Sequence, residues 1–567
     1  SKMKKLFKSK YIPALLVLLL ISNSCSEEYL EVENKNQLAV SSFFKTPQDA
    51  LFAVNACYYG LAGRGMHGLD WYFMFNSFED RILFETPNMD EITINSTTGQ
   101  VDRIFHDLCI GLFRTSSVID NLLEREIPDL NEDLKQRYLG EAYALKAAYY
   151  FHLVTLYNKP FYYDEYSVPE DPNRVFPNAD PVQFWDKIVE DLEFAIVALP
   201  DTYPPSETGR VTKGMANALL GKALLYKHYH YYVRFGNKGS SGDVADLERA
   251  KEAFLDVMNS GVYSLVQPRE PKTRLDYIYA HLSNFSYVDL PSENNVYTGE
   301  NTTESVWMLQ YSDDRFQNGW LPAWQWTGHL NSHYFGAHFS SFRNHEIHPA
   351  LWQEFETAGA PAGFDRDPRA YSTCYLDGDI LDFRSDNEEY YNVAYKSGVN
   401  NKSIANNRGL NFPGQPSVGF GLKKYYFPVY YENNAPDNSP VNRNYIRYAD
   451  VLLMYAEVMY LLGDDGSGLE ALNEVRRRVD MPDIDALTTD AIIHERDVEL
   501  ATEGHRWLDL IRWSFDPEWG INWDELEWGI NSANAINPFV VGKHEYLPIP
   551  LREINLGRGA LEQNPGW

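Results

Sequence analysis

Glu495, Glu499 and Glu503 fall four residues apart in "HERDVELATEGHRW" (494–507). Paired carboxylates are what a glycoside-cleaving centre requires, but they must face each other across a sugar-sized gap. Residues four apart on a helix point the same way instead. With Arg496 and Arg506 interleaved, the segment reads as a charged network fixing one helix against its neighbours. His329, His333, His338, His345 and His348 crowd a second stretch. His329 and His333 have the spacing to share a helix face and bind a metal. Yet "HEIH" is not the HExxH arrangement, and no cysteine or ordered acid accompanies it, so all five read as loop histidines. The turn at Asp464 and Asp465 lacks the alternating ligands and closing glutamate of an EF-hand loop. No catalytic residue, metal or cofactor is expected.

Recognition chemistry is better represented. "NGWLPAWQWTGHLN" (318–331) holds Trp320, Trp324 and Trp326, with Pro322 among them and glycines on either side. Such a stretch is neither a good helix nor a good strand. Large apolar surface on a loop marks an interaction site, the alternative being a small satellite core beneath the loop. A flat, rigid indole suits the C–H face of a sugar ring and loses little entropy on binding. Asn318, Gln325 and Asn331 can pair with hydroxyls that are otherwise desolvated at a cost. Trp324 and Trp326 share a face if the chain is extended, leaving Trp320 to pack or to lengthen the platform. A second candidate is "GLDWYFMFNSFED" (68–80), where Asp70, Trp71 and Tyr72 are read as a connector between helices. They either bind ligand or seal the helix ends. Trp307 lies in a strand-like segment (304–311) and is assigned to packing.

The elements that must carry these residues are mostly helical. Thr46 can cap a helix that opens with Pro47 and Asp49. Apolar residues recur at helical spacing over 101–125, 132–157, 181–199, 212–232, 246–260, 447–463, 469–479 and 490–503. The last pair but one makes an antiparallel hairpin. From about 262 to 445 Asn, Gly, Pro, Ser and aromatics replace the helical pattern, and long loops in an ordered domain are where binding resides. The predicted fold is mainly α, a tetratricopeptide-like scaffold of helical hairpins decorated by long loops and short strands. The helical parts run over about 45–260 and 445–515, around the loop-rich insertion at 262–445, with a closing segment at 516–567.

Of the 567 residues 14% are aromatic, and tyrosines (39) outnumber phenylalanines (30). A formal charge of −30 repels polyanions at long range, which excludes nucleic acid as a partner and disfavours sulfated or uronic polymers. The first 24 residues carry five lysines, no acids and the short apolar run "YIPALLVLLLIS". That is an export signal rather than a membrane span. It is read as a lipoprotein signal (1–24) with Cys25 as the lipidated first residue of a domain spanning 25–567. A lipobox has Leu, Val or Ile three positions before the cysteine. Here Ser22 stands there and Ile21 one step further away, so ordinary secretory cleavage is the alternative. Glu27 and Glu28 directly after Cys25 resemble the acidic surface-export signal of Bacteroidetes-type lipoproteins. Cys57, Cys109 and Cys374 remain, an odd number with no CxxC spacing, and Cys57 and Cys109 read as buried, inert thiols.

"RYADVLLMYAEVMYLLG", "EALNEVRRRV", "HERDVELATEGHRWLDLIRW" and "EYLPIPLREINLGRGALEQNPGW" follow one another in the C-terminal part. "GEAYALKAAYYFHLVTLY", "TKGMANALLGKALLYKHY" and "FDRDPRA" stand upstream. In this order they resemble the SusD/RagB family of surface glycan-binding lipoproteins over nearly the whole mature chain. The resemblance implies a tetratricopeptide-like scaffold, no catalysis, and a SusC-like TonB-dependent barrel in the outer membrane as partner. It also implies a glycan ligand, here a neutral oligosaccharide, although some RagB-like members take peptides. An all-helical glycoside hydrolase is the remaining alternative.

Overall fold

The structure, a computed structural model, describes residues 43–84, 92–161, 175–285, 301–311, 345–375, 380–384, 390–394, 421–425, 441–526 and 539–567. The N-terminal helices are α1 (Pro47–Cys57), α2 (Tyr59–Ala62), α3 (Asp70–Phe78), α4 (Gly99–Glu124), α5 (Glu132–Tyr157), α6 (Pro181–Ala198), α7 (Lys213–Lys227) and α8 (Ser241–Met258). Side-chain caps define where several of them start. Thr46 and Asp49 exchange the reciprocal bonds of a capping box at α1, and Asn131, Thr212 and Ser240 each accept a first-turn N–H. Successive helices from α4 to α8 pack against one another. Two glycines set how closely they approach: a methyl at Gly111 on α4 would lie 2.1 Å from the Tyr149 ring, and one at Gly221 on α7 would lie 2.5 Å from the Phe254 ring.

After α9 (Arg274–Leu282), α10 (Pro349–Glu354) and α11 (Arg369–Thr373), the scaffold resumes with α12 (Tyr448–Leu462), α13 (Asp465–Arg478), α14 (Thr489–Glu499) and α15 (Arg506–Ser514), and α16 (Leu551–Leu556) closes the chain. Gly463, at φ +77°, ends α12 in a left-handed turn, and Asp464 caps α13. α12 packs against α8 and α13, so the two helical stretches form one stack, the tetratricopeptide-like scaffold expected from the sequence. Among the described residues the main apolar cluster runs from Phe44 to Leu561. Among the described residues no helix is long and apolar enough to cross a membrane.

Among the described residues strands occur as four two-stranded antiparallel ribbons. β1 (Ile82–Phe84) pairs with β3 (His345–Ile347), and β2 (Ser305–Leu309) pairs with β8 (Arg443–Arg447). β4 (Cys374–Tyr375) pairs with β7 (Gly421–Leu422), and β5 (Ile380–Arg384) with β6 (Tyr390–Ala394). The loop-rich stretch is therefore tied down by ribbons and by three helices that periodicity did not reveal. Two of its histidines correct the loop reading: His345 opens β3, and His348 Nδ1 accepts the Ala350 N–H at the start of α10, both buried. His329, His333 and His338 lie outside the described residues.

Trp307 packs as expected. It is buried in β2, its ring 4.9 Å from Tyr445, and its Nε1 donates to the Gly209 carbonyl at 2.9 Å. Trp307→Ala is expected to cost about 3 kcal/mol, because the layer cannot collapse into the space. Urea denaturation checks this, and an unchanged midpoint would place the ring outside the packed layer.

Candidate functional site

The glutamate series resolves into a buried ion network. Glu499 accepts from Arg447 Nη1 at 2.6 Å, Arg478 Nη2 at 2.5 Å and Arg369 Nη1 at 3.1 Å. Glu503 accepts from Arg447 Nε at 2.8 Å and Lys424 Nζ at 2.8 Å. Arg447 also reaches Glu304 at 2.7 Å, and Glu495 bonds Arg476 at 3.0 Å and Arg369. Burial alone would push the carboxyls of Glu499 and Glu503 up. For Glu503 the Arg447 and Lys424 charges outweigh it and hold the group at about 2, and for Glu499 the Arg478 and Arg447 charges hold it well below the usual range. Glu499 and Glu503, held this acidic and this fully engaged, neither give nor take a proton near neutral pH. They lock α14 to β2, β8, α11 and α13, as the four-residue spacing suggested.

At the rim of this network His494 sits between two acids, Nδ1 2.8 Å from Glu354 and Nε2 3.5 Å from Glu356. Burial works to lower its pKa, but the hydrogen bond to Glu354 and the charges of Glu495, Glu354 and Glu356 raise it overall. A raised folded pKa stabilises fully below the unfolded value, about 6.5 for histidine, and is lost as pH rises through the folded value. The melting-temperature gap between wild type and His494→Gln should therefore be wider at pH 6 than at pH 8.5. A gap that does not change with pH would remove the histidine from this linkage.

Asp70, Trp71 and Tyr72 are not in a connector. They open α3, and they are 1%, 4% and 2% exposed. Asp70 takes a bidentate bond from Arg103, at 2.6 Å to Nε and 3.0 Å to Nη2. Trp71 packs edge-on against Phe75 and His152 at 4.5 and 4.7 Å. Beside Trp71 and Tyr72 lies a cavity of about 20 Å³, also lined by His152, Tyr445, Glu503 and His505. That is room for one water and not for a sugar ring. Burial drives His152 down to about 3 and His505 to about 4, so both are neutral. Of the two roles weighed for Trp71 and Tyr72, the structure matches sealing. A larger hollow of about 290 Å³ lies between α4 and α16, walled by Leu112, Phe113, Phe161, Leu556 and Leu561, with Glu553 as the carboxylate of its lining. Among the described residues its lining offers few partners for hydroxyls.

Trp320, Trp324, Trp326, Asn318, Gln325 and Asn331 lie outside the described residues, as does Cys25. Their anchors are described. The chain enters 312–344 at Tyr311, whose N–H donates to Asn442 Oδ1 at 2.7 Å and whose hydroxyl donates to the Ala62 carbonyl at 3.0 Å. At His345, the next described residue, Nε2 meets the Ser77 hydroxyl at 2.8 Å. Phe285, which precedes 286–300, packs with Tyr425 and Val441, which flank 426–440. Asn301, after the first of these, exchanges amide bonds with Gln310 at the end of β2. At the centre stands Arg443, its guanidinium 3.6 Å from the Tyr425 ring centroid and 4.6 Å from that of Tyr72. Sequence reasoning missed Arg443, Tyr311 and Tyr425, because no local pattern links residues that meet only through the β2–β8 ribbon.

Among the described residues no group of three or more His, Cys, Asp or Glu is arranged to hold a metal. A family model described as the SusD family matches residues 303–567. A SusD-like protein of Formosa agariphila is 25% identical over 554 residues, which cover 93% of this chain and 96% of its own. Two solved structures share the fold. A SusD homolog from Bacteroides thetaiotaomicron superposes with TM-score 0.71 at 20% identity, over 95% of this chain and 100% of that one. Surface glycan-binding protein A from the same species gives TM-score 0.64 at 20% identity, over 92% and 100%. Motif order, relatives aligned over nearly their full length and the scaffold agree: the chain matches the SusD/RagB family, whose members are non-catalytic glycan-binding proteins.

Proposed function

We propose that this protein captures a neutral oligosaccharide on an aromatic platform built from Trp320, Trp324 and Trp326, with Asn318, Gln325 and Asn331 serving the hydroxyls. It does so at the cell surface, tethered through a lipid on Cys25, and passes its ligand to a TonB-dependent barrel in the outer membrane. The observation that carries the reading is the density of tryptophan in 318–331, a stretch that follows Tyr311, which is fastened to Asn442 and Ala62 at the corner held by the β2–β8 ribbon. A site built on rigid roots keeps the entropy cost of ordering low when a ligand arrives. Asp70, Trp71 and Tyr72 support that corner from beneath and do not touch the sugar. A surface binder serves uptake only if its ligand moves inward, and a tether keeps it beside one transporter at high effective concentration.

The test is a glycan array on the mature protein, followed by calorimetric titration with the best neutral oligosaccharide and a product assay on the same mixture. Saturable binding with the sugar recovered intact is the expected result. Binding of peptides and of no glycan would turn the reading to the peptide class, and turnover would replace it with hydrolysis. Mild detergent extraction should recover the protein with a large barrel. Recovery only as a monomer from cells expressing that barrel would remove the hand-over.

A further inference from the structure

The cavity of about 20 Å³ beside Trp71 is walled by elements that lie far apart in the chain: His152 on α5, Lys222 on α7, and Asn444 and Tyr445 on β8. Two of these residues carry a buried polar atom with no hydrogen-bond partner among the described residues, His152 Nδ1 and Asn444 Oδ1. The residues themselves are 3% and 8% exposed, so bulk solvent does not serve those atoms. Their other polar atoms are engaged. His152 Nε2 lies 2.8 Å from the Tyr445 hydroxyl, and Asn444 Nδ2 donates to the Asn284 carbonyl at 2.6 Å. Lys222 Nζ reaches Asp450 at 3.4 Å and has further protons to donate. Buried polar groups in folded proteins are paired, because an unmade bond in a low-dielectric interior costs free energy.

The hydroxyl decides which nitrogen of His152 carries the proton. Burial keeps the ring neutral, so one nitrogen donates and the other accepts. Tyr445 is buried, its hydroxyl has a single hydrogen, and its partner is His152 Nε2. Donation from that hydroxyl makes Nε2 the acceptor and leaves the ring proton on Nδ1. His152 Nδ1 then needs an acceptor, and Asn444 Oδ1 needs a donor. One molecule that both accepts and donates answers both needs, and the volume holds one water. Lys222 in the wall disfavours a cation in this space, and Glu503 in the wall disfavours an anion.

We infer that this cavity is the binding site of one resident water, which accepts hydrogen bonds from His152 Nδ1 and Lys222 Nζ and donates one to Asn444 Oδ1. Three bonds are the usual complement of a buried water. The molecule ties α5 and α7 of the helical stack to β8, and it is held whether or not a glycan binds.

Two measurements on the mature wild-type chain test this. A crystal structure that resolves buried waters should show one density peak within about 2.7–3.2 Å of His152 Nδ1, Lys222 Nζ and Asn444 Oδ1. An empty cavity beside other well-defined buried waters, or a peak that misses His152 or Asn444, would overturn the inference. Nuclear magnetic resonance with ¹⁵N-labelled histidine should find the ring proton of His152 on Nδ1 at pH 7. The resonance is assigned by its loss in His152→Phe, or in His152→Gln should the first variant not fold. A proton on Nε2 would overturn the hydrogen-bond order on which the site is built. His152→Phe offers no donor and a larger ring, so its crystal structure should lose the peak while Trp71 and Tyr72 keep their places. A peak retained at full occupancy in that variant would remove His152 as its holder and overturn the inference; in the absence of that variant the wild-type density and the tautomer decide.

Discussion

Arg447→Met is expected to cost about 3–5 kcal/mol of stability at neutral pH, in the range found when one partner of a buried ion pair is removed. Arg447 is the point where Glu304, Glu499 and Glu503 meet, and it reaches all three within 2.8 Å. Methionine preserves the length of the stem, so the loss reports charge rather than packing. Arg478 and Lys424 remain, but neither spans all three acids. The loss should also depend on pH in a defined direction. Glu503 is held at about 2 from a usual 4.5, so its contribution is present above 4.5 and disappears as pH falls towards 2. The gap between wild type and variant should therefore narrow over that window. Urea titrations at pH 7 and pH 3.5 measure it. A loss below about 1 kcal/mol at pH 7 would mean the network behaves like solvent-exposed pairs.

Trp324→Ala and Trp326→Ala, singly or together, are expected to weaken binding of the cognate oligosaccharide by about tenfold or more. A comparable flat contact between a ring and a base loses roughly 1–3 kcal/mol on truncation to alanine, or roughly five- to hundredfold in affinity. Trp71→Ala should act differently. Its ring lies between Phe75 and His152 inside the core, so truncation lowers the melting temperature and leaves the affinity of the folded fraction near wild type. Titration calorimetry with melting temperature as the folding control separates the two behaviours. Loop variants that stay folded and bind like wild type would move the platform away from 318–331.

The elements legible in the sequence are those with a one-sided or capped signature. The expected helix at 132–157 coincides with α5, and 447–463 exceeds α12 by one residue at each end, because a β-strand residue precedes it and a left-handed glycine follows. α3 escaped for the opposite reason. Its nine residues are buried on nearly every side and no side chain caps it, so there was no polar face to set against an apolar one and the stretch read as a connector. At 212–232 the apolar rhythm continues past Lys227, but the chain widens there into a π-helical turn at His228–Val233. Within the candidate site, residue chemistry was legible and partnership was not. The spacing of Glu495, Glu499 and Glu503 showed that they cannot oppose one another, yet nothing local names Glu304, Arg369 or Arg447 as their partners. The tryptophans announced themselves by density in a Pro/Gly setting, while the corner on which their stretch is rooted depends on pairings between strands far apart in the chain.

The last residues of the chain close over helices made near its beginning. The Leu547 N–H donates to the Leu156 carbonyl at 2.7 Å, and Asn564 Nδ2 donates to the Tyr157 carbonyl at 3.0 Å, both at the end of α5. Phe78 on α3 meets Trp507 on α15, and the nearby Asp80 is gripped by Arg506. A polypeptide threaded outward from its N-terminus thus presents α1 to α8 long before their covering exists. Premature termination anywhere upstream of Asn564 leaves carbonyls and apolar rings open to solvent, a form that quality-control proteases can recognise. Residues 539–567 are in this way a condition for closing the ends of helices formed much earlier in the chain.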